Sequence, residues 1–179
     1  MARLRVVTLS IACALVTGVT MGAGSGGQPP AGSSSSSADW DVRQARGTTR
    51  DIAFTTDEGT WMTVSVSPDA QTIVFDLLGE IYALPASGGD ARLLTAESGV
   101  AVNFQPAVSP DGSRIAFISD RAGQNNLWVM NADGSNPRII EQNLRVRHSV
   151  PAWTPDGRFL VARRMPLSDE GRPMPEIWL

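Results

Sequence analysis

Short bursts of apolar residues recur along the chain from about residue 60 onward, each at a fixed distance after a Pro-Asp pair. The pairs are Pro68-Asp69, Pro110-Asp111 and Pro155-Asp156, spaced 42 and 45 residues apart. Ile73 and Phe75, Ile115 and Phe117, and Leu160 and Ala162 stand at equal offsets from their aspartates. Alternate positions of a strand share one face, so each pair defines a sheet face. The residues between them, Val74, Ala116 and Val161, are also apolar. Each of these strands is therefore predicted to be covered on both sides. A further strand follows in each copy, "EIYAL" (80–84), "NLWVM" (126–130) and "EIWL" (176–179), with Tyr82, Trp128 and Trp178 in register. Aromatic and β-branched residues favour strands. "SGGD" (87–90) and "ADGSN" (132–136) then turn the chain, and Arg92 and Arg138 open a fourth strand.

The Pro-Asp pairs mark tight turns. In "SPDG" (109–112) and "TPDG" (154–157) proline presets φ, aspartate bonds back to nearby backbone and glycine accepts a positive φ. The first copy reads "SPDA", and Ala70 is expected to be strained there or to force another turn type. No 3.6-residue apolar period is present. A repeat of 40–45 residues with four short strands is the signature of a propeller blade. One four-stranded sheet cannot cover its own two apolar faces, and radial stacking of copies covers them. The predicted fold is all-β, an incomplete β-propeller with about two and a half blades, in repeats near 61–95, 103–140 and 148–179. The sequence ends within the third strand of the third repeat, so the chain is expected to be part of a larger propeller. "RDIAF" (50–54) has strand character and is expected to pair with the last blade of that larger ring.

The first residues read differently. Arg3 and Arg5 precede an apolar run from Val6 to about Val19, followed by small residues. This is the layout of a secretory signal peptide, assigned to residues 1–27. The run is short for a membrane span, which needs about 20 residues. Cys13, the only cysteine, falls inside the run, with Ser10 where a lipidation motif prefers leucine. Residues 28–39, rich in Ser, Gly and Pro, are expected to form a flexible, disordered linker. Gly22, Gly24 and Gly27 match G-x-G-x-x-G, but no strand precedes and no helix follows them, so they do not predict a nucleotide site. The expected location is periplasmic or secreted, with no membrane span after signal cleavage. A net charge of −3 with 15 basic and 18 acidic residues argues against nucleic acid as a partner.

The repeat itself carries a resemblance. "SPDG-x-x-IAF-x-SDR-x-G-x-x-x-LWVM-x-x-DGSNPR" resembles the TolB-like, WD40-like β-propeller repeat. "EGTWMTVSVSPDAQTIVFDLLGEIYALPASGGDARLLT" resembles the start of the propeller that precedes an amidohydrolase domain in secreted bacterial proteins. The resemblance covers residues 40–179 and departs at Ala70, at Asn131 and in the "RRMPLSDEGRPMPE" insertion. It implies a non-catalytic propeller module at the N-terminal side of an exported amidohydrolase-like hydrolase. Two alternatives stand beside it: a free periplasmic adaptor that binds envelope proteins or peptides, and the gating propeller of a prolyl-oligopeptidase-type serine peptidase.

Candidate chemistry is sparse. An amidohydrolase metal centre needs His-x-His and further His and Asp ligands, and the chain has one histidine, His148. No cofactor is expected in this chain; the resemblance implies a divalent metal only for an amidohydrolase domain that the sequence does not contain. There is no G-x-S-x-G nucleophile elbow. "NADGSN" (131–136) lacks the acidic ligands and terminal Glu of a calcium loop and is read as a hairpin turn. Candidate binding residues therefore come from loops opposite the "SPDG" turns, because function is commonly carried on loops held by a rigid scaffold. These are the between-blade loops 96–105 and 141–149, the loop "SDRAGQNN" and the insertion in the third copy. Arg145, Arg147 and His148 form the local basic cluster, and Asp120 and Arg121 are expected to organise their own loop. The expected partners are further propeller blades, a downstream domain, and envelope proteins or peptides.

Overall fold

A computed structural model describes residues 4–7, 41–50, 53–167 and 176–178. Three antiparallel sheets follow one another along the chain, each a meander in sequence order. The first holds β3 (Val64–Val66), β4 (Thr72–Leu77), β5 (Glu80–Pro85) and β6 (Arg92–Leu93). The second holds β7 (Asn103–Val108), β8 (Arg114–Ser119), β9 (Asn126–Asn131) and β10 (Arg138–Ile139). The third holds β11 (Val146–Trp153), β12 (Leu160–Pro166) and β13 (Glu176–Trp178). A separate pair joins β1 (Leu4–Val7) to β2 (Ala53–Thr56). The strand expected near 50–54 is β2, which pairs with β1 here. The signal-peptide and linker assignments otherwise fall mostly outside the described residues.

Stacking of the sheets buries the faces that the sequence pattern marked. Val74, Ile81, Ala83 and Leu94 of the first blade pack with Ile115, Phe117 and Met130 of the second. Ile118 and Leu127, on the other side of the second blade, pack with Ala162 of the third. The middle blade is covered on both sides, and Phe117, Ile118 and Leu127 are fully buried. The outward side of the first blade is not bare. Phe75, Leu77 and Tyr82 are buried there as a second cluster, with Phe75 stacked on Tyr82 at 5.7 Å. The backbone of Gly59 lies so near Leu77 that an added Cβ would approach its Cδ1 to 2.8 Å. The segment before β3 therefore packs against this face.

The three Pro-Asp turns share one geometry. Ala70, Gly112 and Gly157 have φ of 56°, 72° and 67°, and each donates its N–H to the carbonyl three residues back at 2.8 Å. Ala70 keeps the turn type and accepts the left-handed conformation. In each turn the aspartate accepts from the preceding Ser or Thr hydroxyl and from the backbone N–H two residues on. Those bonds favour the ionised form and hold Asp69, Asp111 and Asp156 below the usual carboxylate range.

The innermost strands begin earlier than the sequence suggested. Residues 103–105 and 146–149 were expected in between-blade loops but belong to β7 and β11. Each strand carries a bulge, between Phe104 and Ala107 and between Ser149 and Ala152. Gln105 and Val150 sit at the bulges with φ of 55° and 53°. An extra residue shifts the alternation by one, which hides the first half of the strand from a period-two reading.

Candidate binding face

Because consecutive strands run antiparallel, the Pro-Asp turns lie at one end of the blades. The links between blades and the β4–β5 and β8–β9 loops lie at the other. At that second end each pair of blades is fastened by a polar cluster built on equivalent positions. Asn103 opens β7 and His148 stands at the same offset in β11. Both are buried, and both donate their backbone N–H across the seam, to Gly79 O at 2.7 Å and Asn125 O at 2.8 Å.

In the first seam the Asn103 amide donates to Ser98 Oγ at 2.9 Å and to Glu80 Oε2 at 3.3 Å. Thr95 also donates its hydroxyl to Glu80 and accepts the N–H of Ile81 at 3.0 Å. Arg121 donates to Asn103 Oδ1 at 2.6 Å and to Ser119 Oγ at 3.0 Å. Its guanidinium lies 4.9 Å from the Trp128 ring centre and 5.3 Å from that of Phe117, a cation–π arrangement. Burial pushes the Glu80 carboxyl up despite the bonds from Thr95 and Ser98. Burial also draws Arg121 below its ordinary value, partly offset by Glu80.

The second seam keeps the positions and exchanges the chemistry. Where the first has Glu80, Thr95 and Asn103, the second has Asn126, Glu141 and His148. His148 Nε2 lies 2.9 Å from Glu141 Oε2, and Arg164 of β12 lies 3.6 Å from Glu141 Oε1. Lower in the same seam Trp153 donates its indole N–H to Ala107 O at 3.0 Å. Arg114 of the second blade stacks on that ring at 4.7 Å.

These contacts place the residues picked out from the sequence. Asp120 accepts the N–H of Val102 at 2.8 Å and so fixes the link between blades one and two. Arg121 belongs to the first seam. Arg145, Arg147 and His148 do not converge: His148 is buried in the second seam, while Arg147, the next residue along the strand, points the other way and is exposed. Arg145 is exposed at the link, with its N–H on Asn143 Oδ1 at 2.9 Å. Asn103, Glu80 and Glu141 were missed; only their alignment across repeats could have signalled them.

Outside the seams, the same end of the blades carries an open cleft of about 610 Å³ between Arg43 and Gln44 on one side and Leu144 on the other, with Arg121 in its wall. The segment 41–47 reaches this end through Arg43 O, which accepts the N–H of Val100 at 3.1 Å. Leu144 is exposed in its wall, and exposed Val100 adjoins it through that bond to Arg43. The lining is mixed: the Asp41–Arg43 ion pair at 2.8 Å, the amides of Gln44 and Gln142, and the apolar Leu144. Among the described residues no group of three His, Cys, Asp or Glu side chains is placed to hold a metal ion.

Comparison with known proteins agrees with the sheet architecture. Residues 42–170 match the family described as TolB beta propeller domain. Tricorn protease homolog 1 of Streptomyces coelicolor is 31% identical over 94 residues, 52% of this chain and 9% of that protein. The Tol-Pal system protein TolB of Anaeromyxobacter dehalogenans is 44% identical over 50 residues, 28% of this chain and 11% of that protein. The matched stretches thus span about a tenth of those relatives. Among solved structures, a chain of a nidogen/laminin complex superposes with a TM-score of 0.51 at 14% identity, covering 71% of this chain and 52% of that one; this is a likeness of fold alone.

Proposed function

The chain belongs to the TolB β-propeller family, and from that premise we propose that it is a non-catalytic, protein-binding propeller module of an exported bacterial protein. The observation that carries this reading is the cleft between Arg43 and Leu144, with exposed Val100 beside Arg43. It offers apolar contact at Leu144 beside the Asp41–Arg43 ion pair and hydrogen-bonding amides on a rigid scaffold. The partners are polypeptides of the cell envelope, or a domain of the same protein. The apolar segment after Arg3 and Arg5 directs export to the periplasm or beyond. Among the described residues no helix is long and apolar enough to cross a membrane.

The resemblance of the first repeat to amidohydrolase-associated propellers makes an amidohydrolase-like hydrolase the leading parent protein, with the metal held by a domain other than this one. A second reading is favoured by the likeness to a tricorn protease homolog over 94 residues: a propeller that screens peptides before a peptidase domain. Peptide mapping of the native polypeptide from cells separates the two. The first reading expects a His-x-His segment joined to this sequence, and the second expects a serine nucleophile elbow. A native polypeptide containing neither, still forming a propeller, supports the free adaptor. Purified residues 40–179 are expected to hydrolyse neither amides nor peptides, and chelator-sensitive hydrolysis by that segment would overturn the non-catalytic reading. Fractionation with N-terminal sequencing tests export: an intact Met1 on a cytoplasmic protein ends it.

A further inference from the structure

Three residues stand at one offset before their Pro-Asp pairs: Trp61, Asn103 and His148. Asn103 and His148 are buried in the seams between blades. Trp61 is 101% exposed and holds a φ of 61°, a left-handed conformation that is an outlier for a bulky residue. We propose that this side of blade one is a docking surface for blade three of a second copy of the chain, forming a third seam of the same kind as the two already present.

Those two seams supply the geometry. Blade one meets blade two through Ile81, which packs with Ile115 and Phe117. Blade two meets blade three through Leu127 and Ile118, which pack with Ala162. The residue of blade three at the position of Ile81 and Leu127 is Ile177, and it is 81% exposed. Its register partner on β12 is Arg163, also exposed. On the receiving side, the counterparts of Ile115 and Phe117 in blade one are Ile73 and Phe75. They line an open groove of about 180 Å³ with Met62, Val64 and Leu84. Blade three thus presents the outgoing half of a seam, and blade one the receiving half.

Charge complements the shape. Arg163 holds the place that Asp76 has in blade one. In the first seam Asp76 reaches across to the bulge of β7, where it accepts the N–H of Gln105 at 2.5 Å. The counterpart of Gln105 in blade one is Thr63, next to Met62. Arg163 of a second copy is therefore directed to Met62 and to the carboxylates of Asp57 and Glu58, which line the same groove. Trp61 precedes Met62 and adds an exposed aromatic surface, the type of side chain that anchors interfaces.

Each copy carries both halves, so the contact is heterologous, and such contacts close into rings when the rotation allows. Three blades per chain make six in a pair, within the range of about 4–8 for closed propellers. The pair then closes through two identical joints.

The test is sedimentation equilibrium of the full chain, which is expected to show a concentration-dependent dimer. Trp61→Ala alters a side chain wholly exposed in the single copy and is expected to weaken the dimer by about tenfold or more. Arg163→Glu, and separately the double variant Asp57→Arg with Glu58→Arg, place like charges at both joints, and each is expected to stay monomeric. An equimolar mixture of the two restores opposite charges at both joints and is expected to form a 1:1 dimer. Should a charge-reversed variant fail to fold, Trp61→Ala decides, because undiminished dimerisation in that variant also overturns the proposal. A wild-type chain that is monomeric at every concentration, assemblies that grow beyond the pair, a dimer that persists in the charge-reversed variants, or folded charge-reversed variants that stay apart when mixed overturns it as well.

Discussion

Ala70 shows how much one Cβ can matter in a repeat. It holds a φ of 56° where its counterparts are glycines, and a left-handed residue with a side chain costs roughly 1–2 kcal/mol. Glycine removes that cost but loosens the unfolded chain by about 0.4–1 kcal/mol. Ala70→Gly is therefore expected to stabilise by about 0.5–1 kcal/mol, read from urea unfolding midpoints, and a destabilised variant would show that the turn does not need glycine. The neighbouring aspartates make a pH prediction. Asp69, Asp111 and Asp156 are depressed by the hydroxyl and backbone donors of their turns. A depressed carboxyl contributes stability above its unfolded pKa and loses it as pH falls through the folded value. Stability is expected to decline below about pH 4, and more gently when all three are replaced by asparagine. An acid limb unchanged in the triple variant would assign it to other groups.

At the scale of the element, the bulges organise the inner strands. A bulge frees a backbone N–H from the ladder, and a buried N–H left alone is costly. Buried Asp76 answers this at the first bulge and also holds the start of blade one. It accepts the N–H of Thr63 at 2.7 Å with one oxygen and that of Gln105 at 2.5 Å with the other. The second bulge has no aspartate at the matching position, which is Ile118. There the Gln105 side chain accepts the N–H of Val150 at 2.7 Å. Hydrogen bonds to a charged group contribute about 1.5–3 kcal/mol each. Asp76→Ala is expected to destabilise by about 3 kcal/mol or more, measured by chemical denaturation. Gln105→Ala, which removes a neutral acceptor at a half-buried site, is expected to cost about 1 kcal/mol. Equal losses for the two would show that charge at Asp76 is not what holds the bulges.

For the molecule as a whole, position in the stack decides what a residue contributes. Phe117 and Phe75 occupy the same place in their repeats. Phe117 is sealed between two blades, whereas Phe75 borders a groove lined by Met62, Val64, Ile73 and Leu84. Truncating a sealed core phenylalanine costs about 3–5 kcal/mol, less where neighbours can relax into the space. Phe117→Ala is expected to lie at the top of that range and Phe75→Ala clearly below it. Equal costs would mean that the segment before β3 seals blade one as fully as blade one seals blade two.

The sequence by itself determined the blade: four strands, the Pro-Asp turn, and an aromatic in the third strand. These are local matters of alternation and turn chemistry, repeated three times so that chance is excluded. It also pointed to stacking, because strands apolar on both faces require a neighbour on each side. Tertiary structure alone decided the seams. The bulges at Gln105 and Val150 break the alternation from which strands are read, so Asn103 and His148 looked like loop residues. The cluster of Arg145, Arg147 and His148 was contiguous in sequence, yet strand alternation sends Arg147 and His148 to opposite faces. Glu80, Asn103 and Arg121 lie up to 41 positions apart, and only the packing of one sheet on the next brings them together. Burial, which raises Glu80 and lowers His148 from their ordinary values, is a property of that packing and has no local signature.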